Sequence, residues 1–404
     1  MIDLARLRTF LERERDAMVA LLEALVRVPS ENPPGVAYPE TVAILADATA
    51  AIGLTPHLIP IDTPSGVPPR VCLEAFHGSG GPTLYLHGHY DVVPAQAREQ
   101  FEPRVEGDTL FGRGASDMKS GLVSMLFAVK ALRELQVPLA GRVGLCFVPD
   151  EETGGRFGSA ALASRGLLGR DAVGMILGEP TSGVVWNANR GAVTVDVTVR
   201  GRPAHVGLQH QGINAFEHAV EIVGELVKLK AKYAARRTDF RIQPDAARGS
   251  ILLIGGRVEA GTNFNVVPER CTFTVDRRPN PEEDFELERR ELLDVFEGAR
   301  AQGIRCEIDV FQEGHPSATS ERDPLALALA DAIGAVCGER PAFEMCPGLL
   351  ELRFYAQRGI PALAYGPGIL AVSHGPQEFV RLERLIECAA VYAMTAATRL
   401  QADG

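Results

Sequence analysis

Long hydrophobic runs are missing from this sequence, and so is any surplus of positive charge. No run approaches the roughly 18–20 apolar residues of a membrane-spanning helix, and 52 Asp and Glu against 41 Lys and Arg leave a formal net charge of −11 at pH 7. Nucleic acids and anionic membranes are bound by basic surfaces. We therefore expect neither of them as a partner.

Paired cysteine motifs are also missing. The seven cysteines are scattered, and none forms a Cys-x-x-Cys pair. The first 30 residues are charged and have helical periodicity, without the apolar core and small-residue cleavage site of a signal peptide. Both features favour reduced thiols in a cytoplasmic protein over a disulfide framework.

The patterning that is present predicts two domains, which is also the expectation for 404 residues. Apolar strands alternate with helices as far as residue 187, and polar loops follow the strands, as in an α/β sheet with its site at the carboxyl ends of the strands. A strictly alternating strand then begins a β-α-β-β-α-β order. We predict a catalytic domain of residues 1–187 and 313–404 and an inserted ferredoxin-like domain of residues 188–312.

The stretch Leu84–Pro94, LYLHGHYDVVP, ends an apolar strand with polar residues. Side chains alternate faces in an extended chain, so His89 and Asp91 point the same way. A carboxylate at this spacing can orient an imidazole that binds a metal. The alternative is a strand-end histidine bonded to the backbone.

Other acidic or imidazole residues also follow strands or open a helix, and each has a simpler alternative. Asp117 could cap a helix, and the Glu151-Glu152 pair could be solvated. Glu179 and His374 could each lie in a surface turn. Their joint placement instead favours one site at one sheet edge. The candidate metal ligands are His89, Asp117, Glu152, Glu179 and His374. Two imidazoles and three carboxylates suit two divalent cations of the zinc class with one bridging carboxylate.

Five motifs carry a family resemblance: HGHYDVVP, GRGASDMKSG, PDEETGG, GEPTS and SHGPQE. In order and spacing they resemble the M20 metallopeptidase and deacylase family, which includes acetylornithine deacetylase, succinyl-diaminopimelate desuccinylase, aminoacylase-1 and glutamate carboxypeptidase. The resemblance implies a zinc-peptidase-type catalytic domain with a mixed sheet and an inserted dimerisation (lid) domain. It also implies two zinc ions (cobalt or manganese being the alternatives), bridged by Asp117 and by a hydroxide.

The resemblance further implies roles beside the metals. Asp91 would orient the histidine, Glu151 would be the general base, and the peptide bond after Asp117 would be cis. His205 would reach the active site of the partner subunit in a homodimer. The implied substrate contacts, which include arginines suited to a carboxylate, are Arg190, Asn265, Arg278 and Arg353. The loop that begins at Gly366 can also bring backbone N–H groups close to the substrate.

Two departures from the family pattern lie on the substrate side. Gly348-Leu349-Leu350-Glu351-Leu352 replaces a small polar stretch, and Gln377 stands where an asparagine is usual. The leucines favour a larger acyl group. The expected activity is hydrolysis of the amide of an N-acyl amino acid.

The alternatives are a dipeptidase or glutamate-type carboxypeptidase of the same mechanism, and a non-catalytic binding homologue. A serine esterase is excluded because no Gly-x-Ser-x-Gly elbow follows a strand.

Overall fold

The structure is a computed structural model that describes residues 2–401. The α-helices are α1 (Leu4–Arg13), α2 (Arg15–Arg27), α3 (Tyr38–Ala51), α4 (Lys119–Glu134), α5 (Ser159–Ser164), α6 (Ala215–Ala234), α7 (Phe285–Ala301), α8 (Pro324–Cys337), α9 (Leu352–Ala356) and α10 (Leu382–Arg399). The β-strands are β1 (His57–Ile61), β2 (Arg70–Gly78), β3 (Thr83–His89), β4 (Arg104–Glu106), β5 (Thr109–Phe111), β6 (Arg142–Val148), β7 (Ala172–Leu177), β8 (Val185–Asn189), β9 (Ala192–Arg200), β10 (Ile251–Ala260), β11 (Arg270–Arg278), β12 (Arg305–Gly314), β13 (Ser317–Ala318), β14 (Phe343–Cys346), β15 (Ala362–Ala364) and β16 (Phe379–Arg381).

The chain forms two compact units. The first comprises Met1–Asn187, Ala318–Glu344 and Phe354–Gly404, and the second comprises Ala188–Ser317 and Met345–Arg353. The second unit extends beyond the predicted range 188–312 because β12 continues to pair with β9 as far as Gly314, opposite Ala192.

The sheet of the first unit is mixed, as the fold prediction required. Its strand order is β1-β2-β6-β3-β7-β15-β8-β13, with β14 paired to β8. Strand β3 runs parallel to both β6 and β7, so these three strands end at the same edge. Every residue of β3 is buried, which is typical of a central strand covered on both faces.

Helix α4 is the central helix of the first unit. Almost all of its residues are buried, and it packs against α10, α2 and β3. A helix that is buried on nearly all sides belongs to the core. The residues just before α4 are therefore held firmly beside the end of β3.

The second unit is a four-stranded antiparallel sheet, β10-β11-β9-β12, with α6 and α7 packed against it. The alternating valines of β9 and residues of both helices form its core. Asn214 and Asp284 cap the two helices through their side chains. The order of elements is the predicted β-α-β-β-α-β.

Among residues 2–401, no helix combines the length and the apolar character needed to cross a bilayer.

Candidate metal centre

Three parallel strands deliver polar side chains to one sheet edge. His89 is the last residue of β3, Glu151 and Glu152 form a short 3-10 turn soon after β6, and Glu179 follows β7 by two residues. Asp117 lies just before α4. The carboxyl ends of parallel strands meet at one edge, which explains why distant stretches of sequence converge here.

The first group of candidate ligands is buried. His89 Nε2 lies 3.3 Å from Asp117 Oδ1 and 3.7 Å from Glu179 Oε1. One ligand atom from each of the three residues lies within 4.8 Å of the others. We call these three residues the inner group.

The second group is more open to solvent. His374 Nε2 lies 3.3 Å from Asp117 Oδ2 and 3.4 Å from Glu152 Oε2, and the His374 side chain is 52% exposed. These three residues form the outer group. Asp117 directs one carboxylate oxygen to each group, which is the arrangement that a bridging ligand requires.

Unpartnered polar atoms test whether this donor set fits metal ions. His89 Nε2, Glu152 Oε1 and Glu179 Oε1 are buried and make no hydrogen bond, although His89 Nε2 lies near the carboxylates of Asp117 and Glu179. A buried polar atom left unpaired costs about 1–3 kcal/mol. Imidazole nitrogens and carboxylate oxygens are ligands of zinc and related cations. The residues therefore fit a pair of divalent cations.

The metal-free electrostatics of the site agree with this fit. Burial raises the pKa of Glu179 well above its ordinary value, and the Asp117 carboxylate adds to the rise. Contacts with Asp117 and Glu152 raise the pKa of His374 to about 10. Burial acts against ionisation of Asp117, but its contacts with His374 and His89 lower its pKa below the ordinary range. Without metal, Glu179 and His374 hold a proton more tightly than usual, and cations must compete with these protons.

Asp91 contacts the backbone of the Glu151-Glu152 pair in addition to His89, the only contact that the sequence predicted. His89 Nδ1 lies 3.0 Å from the backbone oxygen of Asp91 and 3.5 Å from its carboxylate oxygen Oδ1. The carboxylate accepts the backbone N–H groups of Glu151 (3.2 Å) and Glu152 (3.1 Å). Asp91 therefore fixes the histidine mainly through its main chain and the glutamate pair through its side chain.

Sequence reasoning missed Asn32. Its Nδ2 lies 2.9 Å from Asp91 Oδ2 and 2.9 Å from Thr153 Oγ1, and its side chain is buried. The only sequence signal was an asparagine before Pro33, which reads as a turn. Nothing in the local pattern shows that this turn returns to the metal centre.

Glu151 belongs to neither ligand group. It is partly buried and close enough to raise the pKa of Glu179.

The Asp117–Met118 peptide bond is cis, as the resemblance implies.

Of the predicted residues of the second unit, Arg190 and Arg353 are buried, and the others are exposed or partly exposed. His205 is exposed and its Nδ1 accepts the Gly207 N–H, while the backbone of Val206 bonds to that of Asn265. Arg278 is 23% exposed, and its Nε and Nη2 bond to Asp276 at 2.8 to 3.1 Å.

Two other predicted substrate contacts, Arg190 and Arg353, bond to neighbouring groups of the protein. Arg190 is buried, and its guanidinium donates to Asn280 and to the backbone carbonyls of Ala247 and Gly249. Arg353 is buried and donates to Leu350 O at 2.7 Å.

Gly366 donates its N–H to Thr181 Oγ1, and a Cβ there would lie 2.2 Å from Gly178 O. This glycine therefore permits close backbone packing between the loop and residues 178–181.

The family is shown by comparison with known proteins. The model of the peptidase family M20/M25/M40 matches residues 85–398. The chain belongs to this family. M20 proteins are hydrolases of amide bonds, and this M20 chain is therefore a hydrolase of the same kind.

Individual relatives agree with the family. A probable succinyl-diaminopimelate desuccinylase of Staphylococcus epidermidis is 25% identical over 402 residues, covering 93% of this chain and 95% of the relative. A di-peptidase of Saccharomyces cerevisiae shares the fold with a TM-score of 0.79 and 15% identity, covering 100% of this chain and 99% of the other.

A dinuclear metal binding peptidase of the M20 family from Bacillus subtilis also shares the fold. Its TM-score is 0.68 at 18% identity, with 96% of this chain and 99% of the other covered. At such identities the two solved structures establish the architecture.

Proposed function

We propose that this M20 hydrolase is a dinuclear metal-dependent amidohydrolase, with zinc as the cation, that removes the acyl group from an N-acyl amino acid. The observation that carries the proposal is Asp117, whose two oxygens face the inner and the outer group separately. Two divalent cations, when bound, lower the pKa of a water molecule and stabilise the oxyanion that forms at the scissile carbonyl.

Each ligand group would hold one cation. His89 and Glu179 complete the inner site, Glu152 and His374 complete the outer site, and Asp117 is shared. The solved Bacillus subtilis relative, a dinuclear metal binding peptidase, supports the number of cations.

Glu151 is the proposed general base. It would take a proton from the attacking water and pass it to the leaving amine, a role that a positioned carboxylate can fill. Asp91 supports this role, because it anchors the backbone of Glu151 and Glu152 together. Of the two carboxylates, Glu152 belongs to a ligand group and Glu151 does not.

Arg278 is the proposed contact for the substrate carboxylate, with Asn265 as a further substrate contact. His205 would reach the active site of the partner subunit. A guanidinium pairs well with a carboxylate. We leave Arg190 and Gly366 out of the proposal because both are buried and their polar groups have structural partners. Arg278 also bonds to Asp276, but its side chain is 23% exposed. Leu350 and Leu352 are 6% and 1% exposed, so of the three leucines only the partly exposed Leu349 remains as a candidate contact for a larger acyl group. The desuccinylase relative supports a small acyl amino acid instead.

A homodimer through the second unit belongs to the same proposal. Strand β10 is an edge of its sheet, and Leu253 on it is 51% exposed. On α6, Phe216, Val220 and Val227 are exposed at helical spacing. An open strand edge beside an apolar stripe is typical of a surface that pairs. Leu253→Lys should shift sedimentation from dimer to monomer, and an unshifted dimer would place the interface elsewhere.

Metal analysis combined with a substrate panel tests the activity. We expect two divalent ions per chain in the purified protein, and turnover of acetyl or succinyl amino acids above that of dipeptides. Turnover of dipeptides alone would favour the peptidase alternative, and metal binding with no turnover would favour the non-catalytic one. A chain that binds no divalent metal would overturn the proposal.

A further inference from the structure

The outer group depends on a loop without regular structure. His374 lies between a short 3-10 turn and β16, and its backbone has a φ of +62°. This left-handed region is uncommon for a residue other than glycine and persists where the surroundings hold it. Something outside the loop must therefore fix this histidine.

Two side chains hold the carbonyl of His374. Gln96 Nε2 donates to it at 2.8 Å and Arg113 Nη2 at 3.3 Å. Arg113 Nη2 also donates to Gln96 Oε1 at 2.8 Å, so the two donors are tied to each other. Both come from outside the loop.

The same arginine is linked to the bridging ligand. Arg113 Nη1 lies 2.6 Å from Glu378 Oε2, and both side chains are 1% exposed. Glu378 Oε1 accepts the backbone N–H groups of Ser116 at 2.9 Å and Asp117 at 3.0 Å. One buried ion pair thus reaches the main chain of Asp117 at one end and that of His374 at the other.

We propose that Gln96, Arg113 and Glu378 are positioning residues, here called the loop clamp, that hold His374 in register with Asp117 for the outer cation. The proposal rests on the proposed dinuclear function. A functional site needs its groups held within about 0.5 Å of the productive geometry. A buried, hydrogen-bonded ion pair supplies that rigidity where the loop does not.

The clamp acts on one group more than on the other. His89 of the inner group ends β3, and Glu179 closely follows β7, so the central sheet holds both. Gln96 contacts the backbone of His374. Changing Gln96 should therefore weaken the outer cation and leave the inner one unchanged.

Gln96→Glu is the most informative variant. The new carboxylate keeps an acceptor for Arg113 but has no N–H to donate to His374. Gln96 is exposed, so the fold should tolerate the change. Gln96→Ala removes both contacts, and Gln302→Ala, at an exposed glutamine of the second unit, is the matched control.

Cobalt titration reads the two sites without any assay of activity. Metal-free full-length protein is titrated with Co²⁺ alone, and the visible absorption is followed for each binding event. Loss of a residue that orients a ligand typically costs about 10- to 100-fold in metal affinity. We expect a loss of that size in one of two events for both Gln96 variants, and none for the control.

The possible results separate the two proposals. If the wild type fails to bind two Co²⁺, the dinuclear function itself is wrong. If it binds two and the Gln96 variants bind both with unchanged affinity, or lose both equally, the clamp is refuted. Arg113→Lys gives a second test, because it keeps the charge beside Glu378 but not the planar fork. It should weaken the same single event, and thermal unfolding of its metal-free form will show that it is folded.

Discussion

The two units each bury a cluster of charged side chains, and the clusters differ in balance. In the second unit Arg277 is 0% exposed and its Nη2 lies 2.7 Å from both Glu283 and Glu288. Arg236 Nη1 contacts the same two glutamates at 2.8 and 2.6 Å. Two arginines thus face two glutamates, and Arg277 also stacks on Tyr233 at 3.8 Å.

The metal centre of the first unit has no such balance among its own ligands. Its three carboxylates are accompanied by two imidazoles, which must be neutral to bind a cation. Buried ligand atoms of Glu152 and Glu179 have no hydrogen-bond partner. Burial of charge by itself therefore does not mark a functional site. An excess of carboxylates, with buried ligand atoms that make no hydrogen bond, marks a site for cations.

Breaking the balanced cluster should have the largest effect on stability. Arg277→Ala leaves two buried glutamates to one arginine, and removing one partner of a buried ion pair costs about 3–5 kcal/mol. Urea unfolding measures this loss. Arg257→Ala, which breaks an ion pair with Asp196 on a side chain 70% exposed, should cost far less. Equal losses would show that burial of the network contributes nothing.

Glu151→Gln separates chemistry from metal binding in the unbalanced cluster. Loss of a general base should lower kcat at least about 10²-fold, or about 2.7 kcal/mol in activation free energy. Elemental analysis should find the metal content unchanged, whereas Glu152→Gln should lower it. An unchanged kcat in Glu151→Gln would remove Glu151 from its proposed role.

Removing metal should destabilise the first unit. A cation at about ten times its dissociation constant stabilises the native state by about 1.4 kcal/mol per site. A chelator should therefore lower the unfolding temperature of the wild type, and it should have less effect on Asp117→Asn, which loses the shared ligand. The same drop in both proteins would show that the chelator acts elsewhere.

Lowering the pH should destabilise the balanced cluster, and this is the smallest of the expected effects on stability. Burial acts against ionisation of Glu283, but Ser250 and Arg236 outweigh it and lower its pKa below the ordinary value. A lowered carboxyl pKa adds stability above the unfolded pKa, and this stability disappears as the pH falls through the folded pKa. The wild type should thus lose stability below about pH 4.5 more steeply than Glu283→Gln. Parallel pH profiles would contradict this assignment.

The ligand set illustrates what the linear pattern can predict. The five candidate ligands follow apolar strands or open an apolar helix, and both features can be read locally. Arg190 and Arg278 illustrate what the linear pattern cannot predict, because both match anion contacts of the family and only the structure shows that Arg190 is buried and Arg278 is partly exposed. The partners of Arg190 are the backbone carbonyls of residues 247 and 249, more than fifty positions away. No local pattern distinguishes a guanidinium bound to its own chain from one open to a substrate.

The sequence by itself determined the α/β class, the β-α-β-β-α-β order of the second unit and the family, because periodicity and motif spacing are properties of the chain in one dimension. Tertiary structure decided which polar atoms remain without partners and which residues hold the ligands. Asn32, Gln96 and Glu378 contact the metal centre or its supports only because separate loops meet at one sheet edge. Hydrogen bonds between such loops depend on distances of a few ångströms, which the order of residues does not specify.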